Sequence, residues 1–170
     1  MLDLKVLLKE EEIQTRIKEM AEQIDKDYEG KEIFAICVLR GAAFFTADLT
    51  KNMKTLIEID YLRTSSYEGT ESTGKVKLNF DISESIKGKD VLIIEDIIDT
   101  GYTLKSLREH LLSKEPKSLK IAVLADKKER RIVDVPIDYV GFDIPNKFIV
   151  GYGFDYDNKY RNLKYIGYVE

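Results

Sequence analysis

Apolar residues recur three and four positions apart at Ile13, Ile17, Met20, Ala21, Ile24 and Tyr28, which predicts an amphipathic helix that Gly30 should stop. From Ile33 to Leu39 the pattern becomes a near-continuous apolar run, as in a strand buried on both faces. Ala42 to Met53 reads as a short helix, and Leu56 to Leu62 alternates as another strand. The one markedly polar insertion, Thr64 to Lys75, follows, and Val76 to Phe80 reads as the strand returning from it. Val91-Leu92-Ile93-Ile94 is again a buried strand, and Leu104, Leu107, Leu111 and Leu112 mark a helix behind it. Leu119 to Ala125 gives a further strand. Beyond Asp126 the chain is tyrosine-rich and irregular, with short apolar pieces at Tyr139 to Phe142 and Phe148 to Tyr152. This last region, about 126–170, is expected to fold as a hood over the carboxyl edge of the sheet. Strands alternating with helices imply an α/β fold, a mainly parallel twisted sheet flanked by helices.

Composition narrows the class. A chain of 170 residues fits one domain, able to bury roughly 70% of its unfolded surface. The net charge is −4 with no polybasic run, so a nucleic-acid partner is not expected. Cys37, the single cysteine, lies in a strand run and has no partner for a disulfide or metal cluster. No apolar run approaches the 18–20 residues of a membrane span, and the first residues lack a signal-peptide pattern, so a cytoplasmic protein is expected.

The chemistry concentrates behind Val91–Ile94. Glu95 and Asp96 follow directly, Asp99 comes three residues on, and Thr100-Gly101-Tyr102-Thr103 leads into the helix. Acids at the carboxyl end of a sheet strand, then a small-residue turn and a helix N-terminus, occupy the place where open α/β sheets bind ligands. The turn can offer backbone N–H groups to a phosphate while the carboxylates face hydroxyls, a metal ion or a proton. Read more plainly, the segment is a strand ending in solvated acids with Asp99 or Thr100 as helix cap. A second glycine-rich stretch, Gly69-Thr70-Glu71-Ser72-Thr73-Gly74-Lys75, copies a P-loop as far as its lysine. Val76 then replaces the required Ser/Thr, and strand residues follow where a helix is needed, so an NTPase is excluded. His110 lies within the motif helix without a ligand set and is expected to be an ordinary helix residue.

The acid motif resembles the 5-phosphoribosyl-1-pyrophosphate (PRPP) motif of the type I phosphoribosyltransferases, two acids before D-[ST]-G-x-T. Val38-Leu39-Arg40-Gly41-Ala42 is similar to the pyrophosphate loop of the 6-oxopurine members, whose backbone holds a cis peptide at the position of Leu39-Arg40. Ser66-Tyr67 and Gly74 look like their flexible catalytic loop, which places a lid at 64–75. Lys127, Phe148, Asp155 and Arg161 follow in the order and spacing of the purine hood of the hypoxanthine-guanine enzymes.

The resemblance implies the type I phosphoribosyltransferase fold over residues 1–170, with a small hood and a flexible catalytic loop. Hypoxanthine or guanine would react with PRPP to give IMP or GMP and pyrophosphate. Glu95, Asp96, Asp99, Thr100, Gly101, Tyr102 and Thr103 would hold the ribose phosphate, with Asp99 as general base. Leu39, Arg40, Gly41 and Arg161 would bind pyrophosphate. Lys127, Phe148, Ile149 and Asp155 would form the purine site, and Glu95, Asp96 and Asp155 would hold magnesium. A homodimer or homotetramer is implied as well. Arg40 where lysine is common, Tyr102 at a variable position and Asn146 where an acid is frequent are departures that leave base preference open. A PRPP-sensing regulator would need a basic DNA-binding surface, and an adenine or pyrimidine transferase would not need Lys127 with Phe148.

Overall fold

The apolar run from Ile33 forms β2 (Glu32–Leu39) at the middle of a sheet because residues on both its faces find cover. Phe34, Ile36 and Val38 pack on one side and Ile33 and Ala35 on the other, all buried. The computed structural model describes residues 1–66 and 76–170. Beside β2 lie β3 (Leu56–Ser66), β4 (Val76–Phe80), β5 (Asp90–Ile98), β6 (Ser118–Asp126) and β7 (Tyr139–Asp143). The six strands run in the order β4-β3-β2-β5-β6-β7, parallel throughout except that β4 returns antiparallel to β3.

Among the described residues, three α-helices cover the sheet. In α1 (Glu10–Asp27), Ile13, Ile17, Met20, Ala21 and Ile24 are fully buried against one face, joined by Phe45 and Leu49 of α2 (Ala43–Asn52). Glu10, Glu11 and Glu12 stand in the first turn of α1, where negative charge suits the helix dipole. Gly30 follows at φ +74, a left-handed conformation that favours glycine. On the other face, Leu104, Leu107 and Leu111 of α3 (Tyr102–Leu112) pack on Ile36, Ile93 and Val123. A smaller antiparallel sheet of β1 (Lys5–Leu8), β8 (Ile149–Val150) and β9 (Ile166–Tyr168) lies in the order β1-β9-β8, its Ile149 and Ile166 joined to the core under α1.

The strand order fixes where a ligand can sit. From β2 the chain moves outward to β3 and then returns to β2's other side as β5. The carboxyl ends of β2 and β5 therefore part at a topological switch point, the usual ligand crevice of such sheets. Those ends carry Leu39-Arg40-Gly41 and Glu95-Asp96.

Four expectations change. β5 does not end at Ile94 but runs through the acids to Ile98, because pairing with β6 continues as far as Ile98 opposite Asp126. β3 likewise takes in Thr64, Ser65 and Ser66, paired with Leu78, Lys77 and Val76, so the polar insertion begins later than its composition implies. Tyr139–Asp143 belongs to the main sheet as β7 rather than to the hood, since its apolar residues pair with β6. Strands β1 and β9 were not anticipated, and the hood sheet draws one strand from near the chain's start. Tyr67, Gly74 and the rest of 67–75 lie outside the described residues. No helix among the described residues is long and apolar enough to cross a membrane.

Candidate active site

At the end of β2 the Leu39–Arg40 peptide is cis, as the resemblance implies. Gly41 follows in a place that excludes a side chain: an added Cβ would stand 1.8 Å from Asp96 Oδ2. Arg40 is exposed, and its Nη1 donates to Asn158 Oδ1 at 3.0 Å. The loop from β2 and the acids of β5 are therefore in contact. Gly41→Ala should push the Asp96 carboxylate aside while sparing the fold, since the obstructing atom ends a side chain that can rotate. For the PRPP transfer that the resemblance implies, a displacement of that size predicts a fall in kcat/KM of about 10²-fold. Steady-state kinetics beside a melting curve would check it, and wild-type kinetics would show that Asp96 does not need this position.

Glu95 is 8% exposed, and its Oε1 accepts a hydrogen bond from the Asp96 amide at 3.0 Å. Burial pushes its carboxyl well above the ordinary range, and the charge of Asp96 adds to the push. Asp96 is also raised, chiefly by burial, while hydrogen bonding and the charge of Arg161 favour its ionised form. Two mutually repelling carboxylates in a buried place are relieved by a cation or by hydroxyl donors. Among the described residues no three His, Cys, Asp or Glu side chains gather as a metal cage. That donor set fits magnesium, which commonly takes one or two carboxylates and fills its shell with substrate phosphates and water.

Beyond the acids, Glu95, Asp96, Asp99, Thr100, Gly101 and Thr103 line a cavity of about 210 Å³. Gly101, at φ +94, is the N-cap of α3, so neither Asp99 nor Thr100 is the cap. An added Cβ on Gly101 would meet Val133 O at 2.8 Å. The cavity thus opens on the N-terminus of α3, where unpaired backbone N–H groups and the helix dipole favour an anion. Tyr102 begins α3 and is not among the lining residues.

Lys127 follows the end of β6 and is 9% exposed, its amide donating to Ile98 O at 3.0 Å. Burial pushes its ammonium below the ordinary range, partly offset by the negative charge of Asp99. The neighbouring turn, absent from the sequence expectations, joins the two segments. Arg130 Nε donates to Asp99 Oδ1 at 2.6 Å, and Arg131 Nη2 donates to the buried Asp126 at 2.7 Å. The amides of Ile132 and Val133 both donate to Thr100 O.

The hood supplies the remaining groups. Phe148 is 54% exposed, with Tyr156 edge-on at 6.0 Å between ring centroids. Ile149 is 5% exposed, its side chain turned into the core as part of β8, so the structure does not present that side chain to the purine as expected. Arg161 Nη1 donates to Gly153 O at 2.6 Å, and Nη2 pairs with Asp155 Oδ1 at 3.0 Å. Asp155 Oδ2 also accepts from the Asn158 amide, so both its oxygens are engaged. Gly153 is a residue that the sequence reading missed. At φ +96 it lies so close that a Cβ would stand 2.2 Å from Gly41 O, and the recurrence of glycine at 151 and 153 was its only signal. Ser66 ends β3, and Tyr67 is outside the described residues. His110 proves to have a partner, Asp81 Oδ2 at 2.7 Å, which ties α3 to the chain just after β4.

Comparison with known proteins gives the family. The phosphoribosyl transferase domain model matches residues 4–157. A hypoxanthine-guanine phosphoribosyltransferase of Streptococcus thermophilus is 51% identical over 164 residues, covering 96% of this chain and 91% of that protein. One from Bacillus anthracis, solved with HEPES in its active site, superposes with a TM-score of 0.95 at 50% identity, covering 99% of this chain and 100% of that one. The hypoxanthine phosphoribosyltransferase of Trypanosoma cruzi in complex with the product IMP superposes with a TM-score of 0.92 at 43% identity, covering 98% of this chain and 94% of that one. With the acid strand, the N-terminus of α3 and the 151–161 segment gathered around one switch point, the chain belongs to the phosphoribosyltransferase family, and its relatives at about half identity are named hypoxanthine-guanine phosphoribosyltransferases.

Proposed function

We propose that this protein is a magnesium-dependent purine-salvage enzyme of the cytoplasm, joining hypoxanthine or guanine to PRPP to give IMP or GMP and pyrophosphate. One observation supports the choice of base above others. Lys127, buried and able only to donate, is tied through its amide to Ile98 O, next in the chain to Asp99 on the cavity wall. A 6-oxopurine presents an acceptor at C6 to Lys127 and an imidazole N–H to Asp99.

In this reading the backbone N–H groups and hydroxyls of Thr100 to Thr103 hold the 5′-phosphate at the N-terminus of α3. Glu95 and Asp96 accept from the ribose hydroxyls, directly or through the metal. Gly41 lets the β2 loop approach pyrophosphate closely, and Arg40 and Arg161 offset its charge. Phe148 lies flat on the purine, and Lys127 donates to O6. Asp99 takes the proton from the one imidazole nitrogen as the other attacks the anomeric carbon and pyrophosphate departs. Glu95 and Asp96 would hold one magnesium and Asp155 would help hold a second, and the metal would supply stabilisation of the negative charge on the leaving pyrophosphate.

The homodimer or homotetramer is supported by Ile59, Tyr61 and Phe80, exposed apolar side chains on one face of β3 and β4. Chelation gives the test of the metal. Transfer from PRPP to hypoxanthine should be lost in excess EDTA and recovered when magnesium is added back. Full turnover in the chelator would remove magnesium from the account.

A further inference from the structure

Asp99 and Lys127 are opposite charges at the ends of two adjacent paired strands, and each must remain available to the purine. Left to themselves they would pair with each other and close the site. Yet Lys127 Nζ has no hydrogen-bond partner among the described residues. Asp99 instead accepts from Arg130 Nε at 2.6 Å through Oδ1, and Oδ2 has no protein donor among the described residues.

The backbone makes that arrangement reproducible. Lys127 N donates to Ile98 O on one side of Asp99, and Ile132 N and Val133 N donate to Thr100 O on the other. Arg130 sits between these two staples in a 3-10 turn (Lys128–Arg130), with its own amide bonded to Lys127 O at 3.0 Å. Arg131, next in the chain, is anchored on buried Asp126. The origins of both side chains are thus fixed, and the guanidinium reaches the carboxylate in a directed contact that a point charge would not reproduce.

We propose that Arg130 is a positioning residue for the transfer. It holds Asp99 by one oxygen, which turns the other toward the purine imidazole and keeps Asp99 from collapsing onto Lys127. The proposal rests on the reading of Asp99 as the base.

Both side chains are substantially exposed, at 46% and 38%, so the pair adds little to stability. Arg130→Ala should leave the melting temperature and the KM for PRPP close to wild type. It should lower kcat/KM for hypoxanthine about tenfold. Arg130→Lys should restore only part of the loss. The deciding experiment is the cycle with Asp99→Asn, in which Arg130→Ala should cost nothing further once the base is gone. Unchanged kcat/KM for Arg130→Ala would overturn the proposal, and so would a tenfold loss that persists in the Asp99→Asn background. If Asp99→Asn alone were fully active, the reading of Asp99 as base would fail and the proposal with it. That outcome is distinct from an impaired Asp99→Asn beside a normal Arg130→Ala.

Discussion

Asp99→Asn should slow the forward reaction by about 10²–10⁴-fold, the usual worth of a general base. The substitution keeps the shape of the side chain, and its Oδ1 can still accept from Arg130 Nε, so the turn and the cavity should persist. What it removes is the capacity to take a proton from the purine as the new glycosidic bond forms. PRPP binding should be nearly unchanged, because the proposed phosphate site is the N-terminus of α3 with Thr100 and Thr103, which the substitution leaves in place. The loss should therefore fall on turnover, measured in single-turnover experiments where chemistry limits the rate. A wild-type rate there would assign the proton to another acceptor.

Lys127 carries the second large effect. An ammonium has three donors and no acceptor, so it satisfies the carbonyl oxygen of hypoxanthine or guanine and opposes the amino group of adenine. A buried group left without its partner can reject an analogue by about 10⁴–10⁵-fold. Lys127 is 9% exposed, so water does little to compensate its ammonium for an unfavourable ligand group. Lys127→Ala should lower kcat/KM for hypoxanthine and guanine severely while leaving the trace rate on adenine almost unmoved, so the ratio between them collapses. An equal loss on all three bases would mean that Lys127 supports the fold or PRPP rather than reading C6.

Much of this was legible in the chain because a parallel sheet covered on both faces leaves continuous apolar runs, as at Ile33–Val38 and Val91–Ile94. The α1 stripe was equally plain, since Ile13, Ile17 and Ile24 all face one core. The crevice was legible because β2, β5 and β6 follow one another along the chain as they do across the sheet, which brings their carboxyl ends together. The failures have physical causes. β1 is four residues long with Val6 exposed, too little pattern to separate from a tail. β7 owes its place to pairing with β6, which no local signal encodes. Lys128-Glu129-Arg130-Arg131 reads as a solvated charge run, and the pairing of Arg130 with Asp99, 31 positions away, arises only when two strand ends are brought together. Gly153 matters through its approach to Gly41, again a contact between distant segments.

The most direct measurement is product formation by the purified protein with PRPP and magnesium, supplied in turn with hypoxanthine, guanine, xanthine, adenine, uracil and orotate. Rapid appearance of IMP from hypoxanthine and GMP from guanine, with almost no AMP from adenine, is the predicted result. Adenine consumed as fast as hypoxanthine, or no nucleotide from either 6-oxopurine, would contradict the account.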